Sequence, residues 1–541
     1  MNRSNFLFLF LFLLLSAGTI QAQVDPKIEP LPHNIKEQLI LRATEYRTKG
    51  DFSSAIIQLD SILAKNPMDA PILLFKGDLL LESKKFIEAT QIYESLIPLN
   101  FEQTVTKINL SYALFMNNKA AKALEFARKA WDSDRQNTNA VINYFNAMLW
   151  NRKTKDANNF LSEQRPILKI SEQLLLEARL ESVAGNFRKA FKLYGQLVDE
   201  YPNKHYAKEY IEVLLGKKQF EKARTVLDLN KELYSEKEFA DINQKFIELN
   251  KKKAGAGSGY FTDSGKNVRL DNFAWFQMGE TSLLNMGVKV GNSSIQAIDG
   301  NKTSSSFAQI NLDQRWYSTL TGKSELTMNY ISSTLGTKAS FGITGSQSLT
   351  YQPNDRQMLG IFYRSDILDY TASLLEMNVR SHSGGYVGHI RITNNAGIFS
   401  QGSFSALNDG NEKYQFFGSL YYTFRLNPLV KSGLNISALR FTEVEITNYF
   451  SPDKYLSAEI FAEYDGKFPF ISLLGLQIQG AGGLQKINEQ SWDPSFRLNT
   501  KITYQHKLFG LALNHRISNV ASATGTGYKF NQLTLEAQFK F

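Results

Sequence analysis

A 34-residue spacing of alanines is the feature that most restricts how the first half of this chain can fold. Six alanines recur at intervals of 34, 34, 34, 33 and 33 residues. They are Ala55, Ala89, Ala123, Ala157, Ala190 and Ala223. A fixed period of this length indicates an array of similar helical units, each of which buries its apolar face against its neighbours. The small side chains predict six equivalent places where paired helices approach closely.

Other residues keep the same phase. Four phenylalanines stand three positions before an alanine of the series, namely Phe52, Phe86, Phe187 and Phe220. Gly50 and Gly185 come two residues before Phe52 and Phe187, where a turn between two helices needs backbone angles that glycine adopts readily. The array resembles the tetratricopeptide repeat family over residues 36–253, and 236–253 is expected to be a charged capping helix.

The resemblance to tetratricopeptide repeats implies an α-solenoid that docks a protein partner. In that family the concave face is lined by residues of the first helix of each repeat, which here include Tyr112, Asn146 and Trp150. These three residues are therefore the predicted partner groove. The alternative is that Tyr112 and Trp150 simply pack between repeats.

The first 22 residues predict a secretory signal peptide. Arg3 is followed by an apolar run over residues 6–15 and by a stretch up to Ala22 that is rich in small residues, which suits cleavage before Gln23. The run is about half of the roughly 20 residues that a membrane-spanning helix needs. Residues 23–35 then form a lead-in. The chain has no cysteine, which excludes disulfides, thiolate metal sites and a lipid-modified N-terminal cysteine.

The composition and the periodicity both change after residue 250. The run 254–259 contains only Ala, Gly and Ser, so residues 254–266 are predicted to be a flexible linker. The segment 267–541 then alternates with a period of two, most clearly at its end. One face of the last segment carries Leu533, Leu535, Ala537, Phe539 and Phe541, and the other carries Thr534, Glu536, Gln538 and Lys540.

Turn signals divide 267–541 into about sixteen strands. A soluble β-sandwich would alternate in the same way, but the signal peptide and the terminal aromatic residue favour a membrane barrel. Phe539 and Phe541 resemble the signal that the barrel assembly machinery recognises. The expected fold is therefore α + β multidomain: an N-terminal α-solenoid and a C-terminal antiparallel transmembrane β-barrel. We expect the barrel in the lipid of a Gram-negative outer membrane and the repeats in the periplasm.

One short segment carries a more particular resemblance. Tyr449, Phe450, Ser451, Pro452 and Tyr455 look like the Tyr-Phe-Ser-Pro-x-x-Tyr segment in the C-terminal barrel of cellulose-export proteins. The layout is also similar to the poly-N-acetylglucosamine export porins and the YaiO-type barrel family. These resemblances imply export of an exopolysaccharide. Pro452 is expected at a strand start, with the two tyrosines at a membrane or pore rim.

A sixteen-stranded barrel is wide enough to leave an aqueous channel. The polar faces of the alternating segments predict its lumen charges: Glu376, Arg380, Arg391, Glu459, Glu463, Arg497, Lys501, Glu536 and Lys540. Their mixed signs suit a neutral or zwitterionic polysaccharide. The alternative is that these charges pair across the wall and stabilise the barrel.

No catalytic, cofactor or metal site is predicted. The six histidines lack the paired spacing of a zinc motif. The net charge of +9 does not indicate nucleic acid, because the chain is expected to be exported and its lysines are spread among carboxylates. The leading hypothesis is an export channel with a docking arm. Two alternatives remain: a scaffold with a plugged barrel, and a barrel enzyme using Ser381 or Ser383 with His382 or His389.

Overall fold

The computed structural model describes residues 32–281, 283–333, 339–393, 395–426, 428–444, 449–468, 471–520 and 529–541. The predicted signal peptide and residues 23–31 of the lead-in lie outside this part of the chain. The protein forms two compact units, one up to Asn151 and one from Arg152 to Phe541. No helix of the described residues is long and apolar enough to span a bilayer.

The first unit consists of seven helices in its described part. They are α1 (His33–Thr48), α2 (Phe52–Leu63), α3 (Ala70–Glu82), α4 (Phe86–Leu96), α5 (Gln103–Met116), α6 (Ala120–Ser133) and α7 (Thr138–Trp150). Ala55, Ala89 and Ala123 are completely buried, as the repeat period predicts. Gly77 lies against the ring of Tyr93, where a Cβ atom would come within 2.8 Å of the aromatic carbons. The helices can therefore pack this closely only with small residues at the crossing.

The second unit begins with six further helices of the repeat array. They are α8 (Thr154–Gln164), α9 (Ile170–Ala184), α10 (Phe187–Glu200), α11 (Lys204–Gly216), α12 (Phe220–Leu229) and α13 (Glu236–Asn250). Ala157, Ala190 and Ala223 are again completely buried. Gly185 ends α9 with a φ of 87°, the left-handed conformation expected of a glycine after a helix. The tetratricopeptide repeat prediction is confirmed.

Sixteen antiparallel strands follow in the described residues. They are β1 (Lys253–Asp263), β2 (Val268–Gln277), β3 (Leu284–Gln296), β4 (Lys302–Tyr317), β5 (Leu320–Ser333), β6 (Ser340–Tyr351), β7 (Gln357–Ile367), β8 (Arg380–Arg391), β9 (Ala396–Leu407), β10 (Glu412–Leu426), β11 (Leu429–Phe441), β12 (Tyr455–Phe468), β13 (Ile471–Ile487), β14 (Asp493–Gln505), β15 (Phe509–Ser518) and β16 (Phe530–Lys540). Each strand pairs with its neighbours in sequence, and β1 pairs with β16 to close the barrel. The predicted barrel and its strand number are confirmed.

The predicted linker is wrong. Residues 254–263 belong to β1, which pairs with β2 on one side and β16 on the other. The small residues make room for bulky neighbours: a Cβ atom on Gly255 would come within 2.6 Å of the Trp275 ring, and one on Gly257 within 2.5 Å of the Phe273 ring. A composition typical of linkers therefore serves packing inside a strand, and the barrel begins at Lys253.

The two ends of the barrel differ in their connections. We call the end that holds Lys253 and Lys540 the near end, because these residues pair where the barrel closes, and the opposite end the far end. Near-end connections are at most six residues long, whereas two far-end connections, 368–379 and 442–454, have twelve and thirteen residues. Outer-membrane barrels have short periplasmic turns and longer extracellular loops.

The wall of the barrel is apolar outside and polar inside. Every strand exposes at least one large apolar side chain on its outer face. One from each, β1 to β16, is Tyr260, Leu270, Val288, Ile310, Leu326, Ile343, Ile361, Ile390, Ile398, Leu420, Leu434, Ile460, Leu484, Leu498, Leu513 and Leu535. A continuous apolar belt of this kind is unfavourable in water and favourable in lipid.

Candidate functional site: the lumen and its two ends

A cavity of about 640 Å³ occupies the near half of the lumen. Pockets of roughly 300–1,000 Å³ are typical of ligand sites. It is lined by basic, aromatic and uncharged polar side chains that come mainly from β8 to β14. They include Arg391, Phe399, Phe417, Ser419, Tyr421, Lys431, Asn435, Phe461, Gln479 and Arg497.

The basic side chains of this cavity reach carboxylates in or behind the wall. The Lys431 ammonium lies 2.7 Å from a Glu463 carboxylate oxygen on the paired strand β12. Arg497 on β14 crosses over β13 and places its Nη2 2.7 Å from Glu459 Oε2 on β12. Glu459 is only 1% exposed, so Arg497 and not solvent is what accompanies its carboxylate. The predicted alternative, pairing across the wall, is thus present for both glutamates.

Aromatic rings lie beside the same cations. The Lys431 ammonium is 5.3 Å from the ring centre of Tyr421 and 5.9 Å from that of Phe461. Arg497 lies 5.9 Å from the ring centre of Phe417. Cations at this distance from an aromatic face are attracted by its quadrupole. The near half therefore combines aromatic planes with fixed positive charge.

A second cavity of about 470 Å³ lies against strands β1 to β7, nearer the far end. Its charged lining is mainly acidic. It contains Asp271, Glu325, Asp366 and Asp369 with the cations Arg269 and Lys289. The charged linings of the two cavities therefore differ: basic in the near cavity and mainly acidic in this one.

The connection 368–379 between β7 and β8 folds across the far end of the lumen. It contains a short helix, α14 (Ala372–Glu376), which begins where the Thr371 hydroxyl accepts a hydrogen bond of 3.2 Å from the Leu374 amide. Arg269 on β2 donates a 3.1 Å hydrogen bond to Asp369. We call residues 368–379 the plug.

The plug contacts opposite walls of the barrel. Leu375 packs with Ile295 of β3 and Ile331 of β5. Leu374 and Val379 belong to a second buried cluster, whose wall members include Leu439 of β11. Strands β3 and β11 are eight apart in a ring of sixteen, so they face each other across the lumen. The far end is therefore crossed by a buried apolar layer.

The Tyr449 to Tyr455 segment forms part of this layer. Tyr449 and Tyr455 are 8% and 1% exposed and pack in the same cluster as Leu374. The Tyr449 hydroxyl donates a 2.7 Å hydrogen bond to Asp409 and accepts one of 2.9 Å from Asn411. Burial and the bond to Asp409 raise the pKa of Tyr449, so it stays neutral. Both tyrosines thus lie inside the far mouth, and Pro452 precedes the start of β12 by three residues.

The near end carries contacts between the last repeats and the barrel. Glu280, in the turn after β2, accepts hydrogen bonds of 2.6 Å from both Lys218 of the α11–α12 turn and Arg315 of β4. Partial burial raises the pKa of Glu280, and these two cations more than offset that effect, so the pKa is lower than usual. The repeats from Arg152 onward therefore rest on the rim through charged contacts.

Seven of the nine predicted lumen charges lie on the inner face of the barrel wall. Facing the lumen are Arg391, Glu459, Glu463, Arg497, Lys501, Glu536 and Lys540. Glu536 accepts a 2.9 Å hydrogen bond from the Trp275 indole. Glu376 lies in α14 of the plug and not on a strand of the wall, so its place among the lumen charges stays a prediction. Arg380 is the first residue of β8 and lies on the face of that strand opposite Ser381, which faces the lumen. Its guanidinium donates a 3.4 Å hydrogen bond to the Phe341 carbonyl.

The structure brings two of the three predicted groove residues together. The ring centres of Tyr112 and Trp150 are 6.4 Å apart, and Trp150 stacks on Phe115 at 4.1 Å. Tyr112 is 42% exposed. Asn146 lies one turn before Trp150 on α7 and is half-buried. Trp150 therefore packs between helices, as the alternative held, while Tyr112 also keeps an open face.

The serine and histidine pairs considered for an enzyme do not meet. Ser381 and Ser383 lie on the lumen face of β8, whereas His382 lies on the outer face and bonds the Tyr363 hydroxyl at 2.8 Å. Ser383 instead bonds Ser405 at 2.8 Å. His389 faces the lumen but bonds the Tyr421 hydroxyl at 2.5 Å. Neither serine therefore has a histidine as a base.

The plug and the aromatic and basic wall of the near cavity were not predicted from the sequence. The alternation of Leu375, Met377 and Val379 is typical of a strand, whereas Thr371 before Ala-Ser-Leu-Leu-Glu is a helix-start signal. Lys431 and Phe461 were detectable as lumen residues, because each alternates with outward apolar residues on its strand.

Comparison with known proteins gives one family model and several solved structures. Residues 40–100 match the family model of the tetratricopeptide repeat. No curated protein matches the chain. Among solved structures, a bacterial polysaccharide outer membrane secretin is 12% identical, with 54% of this chain and 99% of that chain covered at a TM-score of 0.43.

Two repeat proteins are also similar. A tetratricopeptide repeat protein from Parabacteroides merdae is 17% identical, with 39% of this chain and 85% of that chain covered at a TM-score of 0.31. The type IV pilus biogenesis factor PilW is 16% identical, with 39% and 100% covered at a TM-score of 0.30. The chain thus combines a region of tetratricopeptide repeats with a closed antiparallel barrel of sixteen strands.

Proposed function

We propose that the barrel is an outer-membrane channel for export of an exopolysaccharide and that the repeats dock a periplasmic secretion or modifying partner. The observation that carries the proposal is the closed sixteen-stranded wall with an apolar outside and a polar, aromatic inside. A barrel of this size leaves an aqueous lumen. Hydroxyl, amide and aromatic groups along it match the hydroxyls and the apolar ring faces of sugars.

The proposal orients the protein in the outer membrane. The near end with the repeats faces the periplasm and the long far-end loops face the outside, as in other outer-membrane barrels. Phe539 and Phe541, both exposed beside the closing seam, are the signal for the barrel assembly machinery. The polymer enters at the near cavity and leaves past the plug, which has to move.

Conductance across a planar bilayer tests the channel. The full chain is compared with a variant whose residues 370–378 are replaced by Gly and Ser at equal length. We expect a low and intermittent conductance for the native chain and a stable, severalfold larger one for the variant. A control replaces residues 489–491 in another far-end loop and should behave as the native protein. No conductance in any of the folded proteins would contradict the proposal.

The plug also supports a second candidate, a scaffold whose barrel only anchors the repeats. Leu374 is completely buried and Leu375 is 3% exposed, so the apolar layer is well packed. The same experiment separates the two candidates. A folded plug-replacement variant without conductance favours the anchor, whereas an open one favours the channel.

A further inference from the structure

We propose that the near cavity is a binding site for sugar units that carry an anionic group, so that the exported polymer is acidic. This inference rests on the proposed export function and names its substrate class. The cavity lining contains the cations Arg152, Arg391, Lys431 and Arg497 and no carboxylate. The other lumen cavity has the opposite balance, four carboxylates against two cations.

The carboxylates that accompany these cations leave positive charge towards the cavity. Arg152 and Arg391 both pair with Asp355, so two guanidinium groups share one carboxylate. The Nη2 of Arg391 donates a 2.7 Å hydrogen bond to the backbone carbonyl oxygen of Asp355, which carries no charge. One positive charge at this edge of the cavity is thus uncompensated within the cluster.

Lys431 and Arg497 keep donors for a ligand. Their side chains are 24% and 35% exposed, whereas their partners Glu463 and Glu459 are 13% and 1% exposed. An ammonium has three N–H donors and a guanidinium has five, and the carboxylates do not use all of them. The carboxylates therefore hold the cations in position, and both side chains line the cavity with donors to spare. A guanidinium fork binds a carboxylate through two parallel hydrogen bonds.

The aromatic residues make the site suited to a sugar and not to a free ion. Phe417, Tyr421 and Phe461 present rings within 6 Å of the same cations. An aromatic plane covers the apolar face of a sugar ring. A cation within 6 Å of the same aromatic ring centre reaches an acidic substituent on that sugar. Ser419, Asn435 and Gln479 complete the lining with groups that bond hydroxyls. The combined features fit an acidic glycan.

Binding to the full chain in detergent tests the inference by titration calorimetry. The probes are three hexasaccharides: a uronate, a neutral glucan and a glucosamine oligomer. We expect the uronate to bind at least tenfold more tightly than the neutral glucan, and its affinity to fall with salt. The glucosamine oligomer should bind most weakly. Equal affinity for the uronate and the neutral glucan would overturn the inference.

Matched variants locate the site. Arg391→Gln should weaken uronate binding about tenfold, and the double variant Lys431→Gln with Glu463→Gln should do the same without leaving an unpaired charge. Lys289→Gln is the control, because Lys289 also lies 4.2 Å from an aromatic ring centre, that of Phe273, but in the acidic cavity. An equal loss in Lys289→Gln would overturn the assignment.

The outcomes for this site and for the channel are distinguishable. Uronate selectivity without conductance in the plug-replacement variant would remove the channel and keep the binding site. Conductance in that variant without uronate selectivity would keep the channel and overturn the acidic substrate.

Discussion

At the far end of the lumen, Leu374 and Val379 pack against apolar side chains of the wall, whereas in the near half Lys431 and Arg497 meet carboxylates. Apolar contacts are non-directional, and separating them costs free energy roughly in proportion to the area exposed. Ion pairs in a wall require fixed geometry, and a buried charge left alone is costly. Under the proposed function, the plug is therefore the part that moves, while the near half stays fixed and holds the polymer.

Removing the cation of the most buried pair should have the largest effect on stability. Arg497→Ala leaves Glu459, which is 1% exposed, without its guanidinium. Breaking a buried pair in this way destabilises by about 3–5 kcal/mol. We expect a markedly lower midpoint for thermal unfolding of the barrel, measured by the loss of its heat-modifiable mobility on a gel. Glu459→Gln combined with Arg497→Gln should recover most of the loss.

The matched control for this prediction is Lys323→Ala. Lys323 also lies on a strand, but it is exposed and stands 3.9 Å from Asp313. Exposed pairs contribute little, about 0–1 kcal/mol. If Lys323→Ala and Arg497→Ala shifted the midpoint equally, the near half would not depend on its buried pair.

Weakening the apolar layer should open the far end without unfolding the barrel. Leu374→Ala removes a completely buried side chain from the plug, a change that costs about 2–5 kcal/mol in a packed core. That cost falls on the plug, so we expect a higher open fraction in single-channel recordings with little change in barrel unfolding. Met377→Ala, at a plug residue that is 50% exposed, should leave the open fraction as it is.

A smaller effect is expected from the hydroxyl of the far-end tyrosine. Tyr449→Phe keeps the ring in the apolar cluster and removes the hydrogen bonds to Asp409 and Asn411. The loss of a hydrogen bond costs about 1 kcal/mol, somewhat more where a buried partner is left unsatisfied. We expect more frequent brief openings than in the native channel, and fewer than in Leu374→Ala. An open fraction above that of Leu374→Ala would contradict an apolar closure.

The sequence predicted these regions to different extents. The alanine period predicted the repeats, because each crossing of paired helices is buried and needs a small residue at the same position of every repeat. Alternation predicted the two faces of β16. The linker prediction failed because Gly255 and Gly257 leave room for the rings of Trp275 and Phe273, which lie on another strand. The plug was missed because Leu374 and Leu375 contact opposite walls, and no local pattern reports such distant partners.

The smallest expected effect concerns acid at the near-end rim. The pKa of Glu280 is lowered in the folded protein, so its contribution is present above the unfolded pKa of about 4.3 and is lost as the pH falls through the folded value. Partly exposed pairs of this kind contribute about 1 kcal/mol or less. Below pH 4 we expect faster hydrogen exchange in α11 and α12 and a smaller change in the plug, where Asp369 pairs with Arg269 but Leu374 and Leu375 pack in apolar clusters. Glu280→Gln should give the faster exchange at neutral pH and remove its dependence on acid, while equal acid sensitivity in the plug would show that both ends are held by charge.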